Sequence, residues 1–373
     1  MMNRREFLAG LAALLVAPVR ARAASLDSLD AVRLAATWQV EHGYQVGVLS
    51  HAASGEGALK VAAALDVPNR AHGLLREPGG SLLAVARRPG DWLLRWDQEG
   101  RAIVWRWIEP RRAFAGHVLA SANGRILYTT ETDLDSGAGM IGVRDVRSLE
   151  KLNEWPTHGI DPHQLLWDAT AGEGKRLIVA NGGVPTQPET GRVKRGLERM
   201  DSSLVRLDAE TGELLGQWHL TDRRLSLRHL AWNTASANKA TLGIALQAEH
   251  DTTEEKANAP VLALFDGHIL RTVPAPQALA GYGGDIAALG GHFAVSCPRT
   301  QGVALFSVDG NWHGMAPLSE ACALASTSQQ LWAGGRLQAL GLHPMAVASD
   351  QSMAQTMSAE MPGLRLDNHW IVL

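Results

Sequence analysis

Punctuation is the feature of this chain that most constrains its fold. Short apolar and β-branched runs alternate with Gly, Asp, Asn and Pro along nearly the whole sequence. Tyr44 to Leu49, Ser81 to Ala86, Trp92 to Trp96, Ile126 to Thr130, Arg176 to Ala180, Leu242 to Gln247 and Gly302 to Ser307 all have strand length and are bounded by turn formers. No long helical periods separate them, which excludes a βαβ arrangement. The turns also repeat. Asn123-Gly124, Asp208-Ala209-Glu210-Thr211-Gly212 and Asp309-Gly310 each join two strand candidates. The chain is therefore expected to be all-β.

Histidines set the period. His72, His117, His158 and His229 are separated by 45, 41 and 71 residues. A four-stranded propeller blade takes roughly 40–50 residues, so the first two intervals fit one blade each. The third is longer, and Thr186 to Met200 reads as its insertion. About seven such blades fill residues 24–373, which predicts a seven-bladed β-propeller in a single domain. A pair of β-sandwiches would need a linker, and the sequence offers none. Glu249 to Ala259 and Gln187 to Met200 read as surface loops, and Pro344 to Glu360 as a terminal loop or short helix. The final stretch, Leu364 to Leu373, reads as a last strand that joins the first blade and closes the ring, removing exposed sheet edges. The tryptophans, among them Trp92, Trp96, Trp105 and Trp107, are expected to pack between blades.

The first residues have the character of an export signal. Arg4 and Arg5 precede a short apolar run from Leu8 to Val19, and Ala21-Arg22-Ala23 gives a small-x-small cleavage site. Paired arginines in that place match the twin-arginine route, which carries folded proteins. Residues 1–23 are thus expected to be removed and the remainder to act in the periplasm. The run is too short to span a bilayer comfortably, so no stable membrane insertion is expected. Charge is nearly balanced, with 35 basic and 38 acidic residues, and nothing favours nucleic acid or anionic membrane. The two cysteines, Cys297 and Cys322, lie in apolar strand-like runs. In an oxidising compartment they are either a disulfide or two buried thiols.

Polar residues gather at the ends of the strand runs in the middle of the chain. Inner strands of a propeller line the central channel, so His72, His117, His158, His163 and His229 are expected to be neighbours. Several imidazoles with a carboxylate suit a transition metal such as iron or copper. The candidate metal ligands are His117, Glu131, His158, His163 and His229. Asn181 and Arg228 are candidates for contacts to a further ligand: Arg228 as an anion clamp, or as a buried partner of Glu131 or Asp161, and Asn181 to orient a ligand or cap its turn. The chain has no Gly-x-Ser-x-Gly elbow, no His-Glu-x-x-His, no phosphate-binding glycine loop and no Cys-x-x-Cys-His. A metal-dependent, lactonase-like hydrolase, a dehydrogenase-related enzyme and a scaffold without ligand all stay open beside a binding protein.

At these same residues the chain resembles an uncharacterised exported family, domain of unknown function 1513. The resemblance rests on Ala86-Arg87-Arg88-Pro89-Gly90, Leu127-Tyr128-Thr129-Thr130-Glu131, Gly139-Met140-Ile141-Gly142-Val143 and His158-Gly159-Ile160-Asp161-Pro162-His163. It continues through Val179-Ala180-Asn181-Gly182-Gly183, Gly191-Arg192, Met200-Asp201-Ser202-Ser203-Leu204 and Leu225-Ser226-Leu227-Arg228-His229-Leu230. It implies a seven-bladed propeller similar to quinoprotein amine dehydrogenases and YVTN-repeat proteins. It also implies an accessory role in iron uptake, beside imelysin-type lipoproteins and a di-haem oxidoreductase-like protein. One departure concerns Pro110 to His117, where the family's first histidine is replaced by Ala113 or Arg112 while His117 persists.

Overall fold

The computed structural model describes residues 31–51, 59–171, 174–185, 196–235, 240–327, 330–342, 358–361 and 363–373. Residues 1–23, read above as an export signal, lie outside the described residues. The described chain is almost entirely β-strand and forms seven antiparallel sheets arranged as a seven-bladed propeller. We number the blades in chain order. In blades 2 to 7 four consecutive strands run from the channel outwards. Their innermost strands are Ala71–Arg76, Arg112–Ala120, Pro162–Trp167, Leu225–Asn233, Ile286–Leu289 and Ala323–Ser326.

Blade 1 is built from both ends of the described chain. Val32–Val40, Gly43–His51 and Lys60–Val67 supply three strands, and Arg365–Leu366 and Ile371–Val372 supply the innermost edge. Both C-terminal pieces pair antiparallel with Val32–Val40: Trp38 faces Leu366, and Leu34 faces Val372. The expected closing strand is thus present, although broken in its middle.

The core is a ring of seven layers between blades. Each layer interleaves the inward side chains of two neighbouring sheets, as strands with buried faces require. Val46 and Val48 of blade 1 pack with Trp92, Leu94 and Trp96 of blade 2, while Trp38, Trp332 and Trp370 lie in the layer between blades 1 and 7. Trp105 packs against the first of these layers. Trp107 departs from the expectation, since it is 55% exposed on the outermost strand of blade 2.

Turn chemistry follows the sequence closely. Asp208 Oδ1 accepts from the backbone N–H groups of Glu210 and Thr211, and Gly212 takes φ 75°, which lets the chain reverse between the third and outermost strands of blade 4. Two loop expectations change. Within Glu249 to Ala259, Thr253–Asn258 is a short helix, because Thr252 and Glu255 form a reciprocal capping box. Of the Pro344 to Glu360 segment, Ser358–Glu360 is the outermost strand of blade 7, and residues 343–357 lie outside the described residues. In the Thr186 to Met200 insertion, Leu197–Arg199 is a 3-10 turn and residues 186–195 lie outside the described residues. Cys297 and Cys322 are free thiols, which decides between the two readings of that pair.

Trp370 tests the closure. It is 3% exposed and joins the layer between blades 1 and 7. Trp370→Ala is expected to cost about 3–5 kcal/mol in urea unfolding, the usual loss for an emptied aromatic site. A loss below about 1 kcal/mol, typical of surface positions, would mean that the closing strand is not held this way.

Candidate metal centre

Four innermost strands carry a bulge at the same place. In blade 2, His72 and Gly73 together face one residue, Val85, between the pairs Ala71↔Ala86 and Leu74↔Ala84. In blade 3, Ala115, Gly116 and His117 face Thr130. In blade 4, His163 and Gln164 face Ala180, and in blade 5, Arg228 and His229 face Ala245. Extra residues of this kind leave the ladder and re-aim a side chain. Each bulge here holds one histidine. The glycines make room for them: Gly116 has φ 109°, and a Cβ there would sit 2.6 Å from the His72 ring.

The four imidazoles converge. One ring nitrogen from each of His72, His117, His163 and His229 lies within 4.8 Å of all the others, and all four residues are buried. His163 Nε2 and His229 Nε2 are 2.8 Å apart, so in the metal-free protein one must donate to the other. His72 Nε2, His117 Nε2, His163 Nδ1 and His229 Nδ1 are buried without a hydrogen-bond partner. Such a set of orphaned donors and acceptors is costly unless something binds it. A single ion with bonds of about 2.0–2.1 Å separates its nitrogens by roughly 3.4 Å in a tetrahedron and 4.2 Å across an octahedron. Side-chain adjustments on the order of 1 Å or less would bring these four onto one ion, so the cluster could hold a metal.

All four imidazoles are held neutral. Burial lowers each well below the ordinary histidine value of 6.5, and neighbouring imidazoles add to the effect. The Arg88 guanidinium contributes at His72, His117 and His163, and that of Arg228 at His163 and His229. Neutral imidazole is the form that ligates.

The remaining candidates fall elsewhere. Glu131 lies in the second strand of blade 3, fully buried, with Oε1 2.7 Å from Arg144 Nη2 and Oε2 2.6 Å from Lys151 Nζ. Thr129 Oγ1 also donates to it, and Arg144 carries on to Glu109. Its carboxylate is committed to an ion network inside one blade and does not join the cluster. His158 is exposed on the outermost strand of blade 3, the strand farthest from the channel, and its carbonyl accepts from Gln217. The interval that matters is His117 to His163; His158 shares its loop but not its direction. Asn181 donates to the Thr157 carbonyl and the Ser203 hydroxyl, tying blade 4 to the end of blade 3. Arg228 donates from Nη1 to Asp161 at 2.8 Å, and Arg88 pairs with the other oxygen of the same carboxylate. Burial pushes the Arg228 guanidinium down to about 10, so it stays charged at neutral pH. Between the two alternatives for its partner, Asp161 is the one observed. The Asp161 bridge also needs Gly182, where a Cβ would lie 2.6 Å from its Oδ2.

His72 was legible as a channel neighbour but not as part of the ligand set. Its signal was the His72-Gly73 pair interrupting an apolar run, the mirror image of Gly116-His117. His369 was not legible at all. It lies in the break of the closing strand, with its ring centroid 4.5 Å from that of His72 and 4.3 Å from that of His229.

Two measurements check this account. Below pH 6.5 the unfolded chain takes up protons at the four histidines while the folded chain does not, so metal-free stability is complete above that pH and falls as pH drops below it. Urea titrations between pH 7.5 and 5.5 should show a slope approaching about 5 kcal/mol per pH unit if all four lag together; a flat profile would contradict neutral imidazoles. Glu131→Ala strands the buried Arg144 and should cost roughly 3 kcal/mol of stability. It should leave metal binding unchanged, whereas a direct loss of metal affinity would return Glu131 to the ligand set.

The comparisons with known proteins agree with this architecture. Kuenenia stuttgartiensis Hydrazine Synthase superposes with a TM-score of 0.56 at 14% identity, over 78% of this chain and 89% of that one, a likeness of fold alone. A protein of unknown function from Bacteroides caccae (TM-score 0.48, 9% identity, 77% and 93% of the two chains) and a nidogen/laminin complex chain (0.47, 11%, 92% and 98%) are more distant and carry no argument. No curated protein matches the sequence. No helix among the described residues is long and apolar enough to cross a membrane. The family model described as "Protein of unknown function (DUF1513)" matches residues 65–373, and the chain belongs to that family.

Proposed function

We propose that this protein is a periplasmic metal-binding propeller that takes one first-row transition metal ion on His72, His117, His163 and His229 and serves metal acquisition, with iron as the physiological cargo and copper as the nearest competitor. The observation that carries the reading is the convergence of four buried, neutral imidazoles, each with one ring nitrogen within 4.8 Å of the others. An all-nitrogen set of this kind suits iron, copper, nickel or zinc and disfavours magnesium and calcium, which prefer oxygen. Selection among the former would come from geometry and supply rather than affinity alone.

Location and role rest on the chain's first residues and on its resemblance to an exported family. A twin-arginine signal would let the centre be loaded before export, away from competing periplasmic ions. Imelysin-type and di-haem oxidoreductase-like proteins are the partners this role would give it. The two guanidiniums bound to Asp161 act as supports beside His163 and His229, whereas the Glu131 network stabilises blade 3.

Elemental analysis tests the reading. Protein exposed to iron(II), copper(II) or zinc and then desalted should retain one ion per chain. The His163→Ala, His229→Ala double variant should retain none, while Glu131→Gln should retain it. Absence of any stoichiometric ion, with stability unaffected by all three metals, would leave the cluster as a scaffold feature and end the proposal.

A further inference from the structure

The C-terminal edge of blade 1 contains its own interruption. Between the pairs Leu366↔Trp38 and Ile371↔Ala35, four residues, Asp367 to Trp370, stand opposite two, Ala36 and Thr37. The break is anchored by the Asp367 N–H donating to the Thr37 carbonyl and by the ion pair of Arg70 with the Asp367 carboxylate. His369 at its centre takes φ 66°, is 7% exposed, and turns its ring into the histidine cluster, 4.3 Å from His229, 4.5 Å from His72 and 5.1 Å from His117 between centroids.

Its two ring nitrogens meet different surroundings. Nδ1 lies 3.2 Å from Asp285 Oδ2 at the head of blade 6, and that oxygen also accepts from the Leu324 N–H of blade 7. Nε2 is buried with no partner. A carboxylate on one nitrogen of a histidine, with the other nitrogen unpartnered and the ring packed against three further imidazoles, is the arrangement by which an outer carboxylate orients a metal ligand. Asp285 also answers an electrostatic need, because four neutral imidazoles leave a dication without a nearby counter-charge.

We propose that His369 is a fifth ligand of the centre, oriented by Asp285, so that the bound ion fastens the C-terminal strand and locks the propeller ring closed. This rests on the metal-binding reading above and adds a structural consequence to it. The closing edge is held by two short ladders of two pairs each. An ion shared by the innermost strands of blades 1 to 5 would couple release of that edge to release of the metal. Five nitrogens would leave an octahedral ion one position for water or a small anion.

The test uses the mature protein, zinc(II) as a redox-silent probe, and amide hydrogen exchange of residues 365–372. With free zinc at 100 times Kd, exchange that requires opening of the ring should slow about 100-fold. Asp285→Asn should weaken zinc binding about 10–100-fold, and His369→Ala at least as much. In His369→Ala, and in the milder His369→Gln, exchange of 365–372 should no longer respond to zinc. Near-ultraviolet circular dichroism confirms that both variants are folded. Equal zinc affinity in the wild-type and both His369 variants, or C-terminal exchange indifferent to saturating zinc, overturns the fifth ligand while leaving the four-histidine centre intact. Failure of the wild-type protein to bind zinc, iron or copper overturns both.

Discussion

Everything in this molecule depends on the antiparallel pairing of the C-terminal edge with Val32–Val40. A propeller is a ring of sheets that touch only their neighbours, and its core is distributed over seven interfaces. Such a ring has no central mass of side chains to hold it together. Its inner strands keep a fixed radius only while the circle is closed, and the distances among five histidines from five blades are set by that radius. Closure also converts residues scattered from His72 to His369 into one cluster.

The second constraint is the bulge. A regular strand sends alternate side chains to its two faces, where they meet neighbouring blades. A histidine in a regular inner strand would be spent in that packing. One or two additional residues per strand take it out of the ladder and point it to the axis, at the cost of lost ladder hydrogen bonds and of glycines at tight approaches such as Gly73, where a Cβ would lie 2.3 Å from the Gly116 carbonyl. Four blades accept this cost at the same depth. The imidazoles they gather are desolvated, mutually close and neutral, which is unfavourable for an empty site and favourable for one that receives a cation.

The sequence disclosed the architecture more fully than the site. Strand length, turn residues and the histidine interval were enough for seven blades, because these are local properties. The closing strand was legible in Leu364 to Leu373, and Asp367-Asn368 carried the turn chemistry of a break that was read through as continuous strand. His117, His163 and His229 came together with His72, whereas His158 and Glu131 did not. The reason is geometric. His158 and His163 are five residues apart, yet one belongs to the outermost strand of blade 3 and the other to the innermost strand of blade 4. Glu131 is equally close in sequence terms to the strand ends, but Arg144 and Lys151, placed beside it by strand register, claim both its oxygens. Which polar residues are spent on each other is decided by register, and register is not written in composition or spacing.

The central claim is that the histidines converge in order to share one ion. The most direct measurement is anomalous X-ray diffraction from crystals of the protein loaded with iron or copper, recorded above and below the absorption edge of the metal. The account predicts a single strong anomalous peak on the channel axis, within bonding distance of ring nitrogens from His72, His117, His163 and His229. Anomalous density confined to surface residues, with the channel histidines unmoved and without a peak among them, would contradict it.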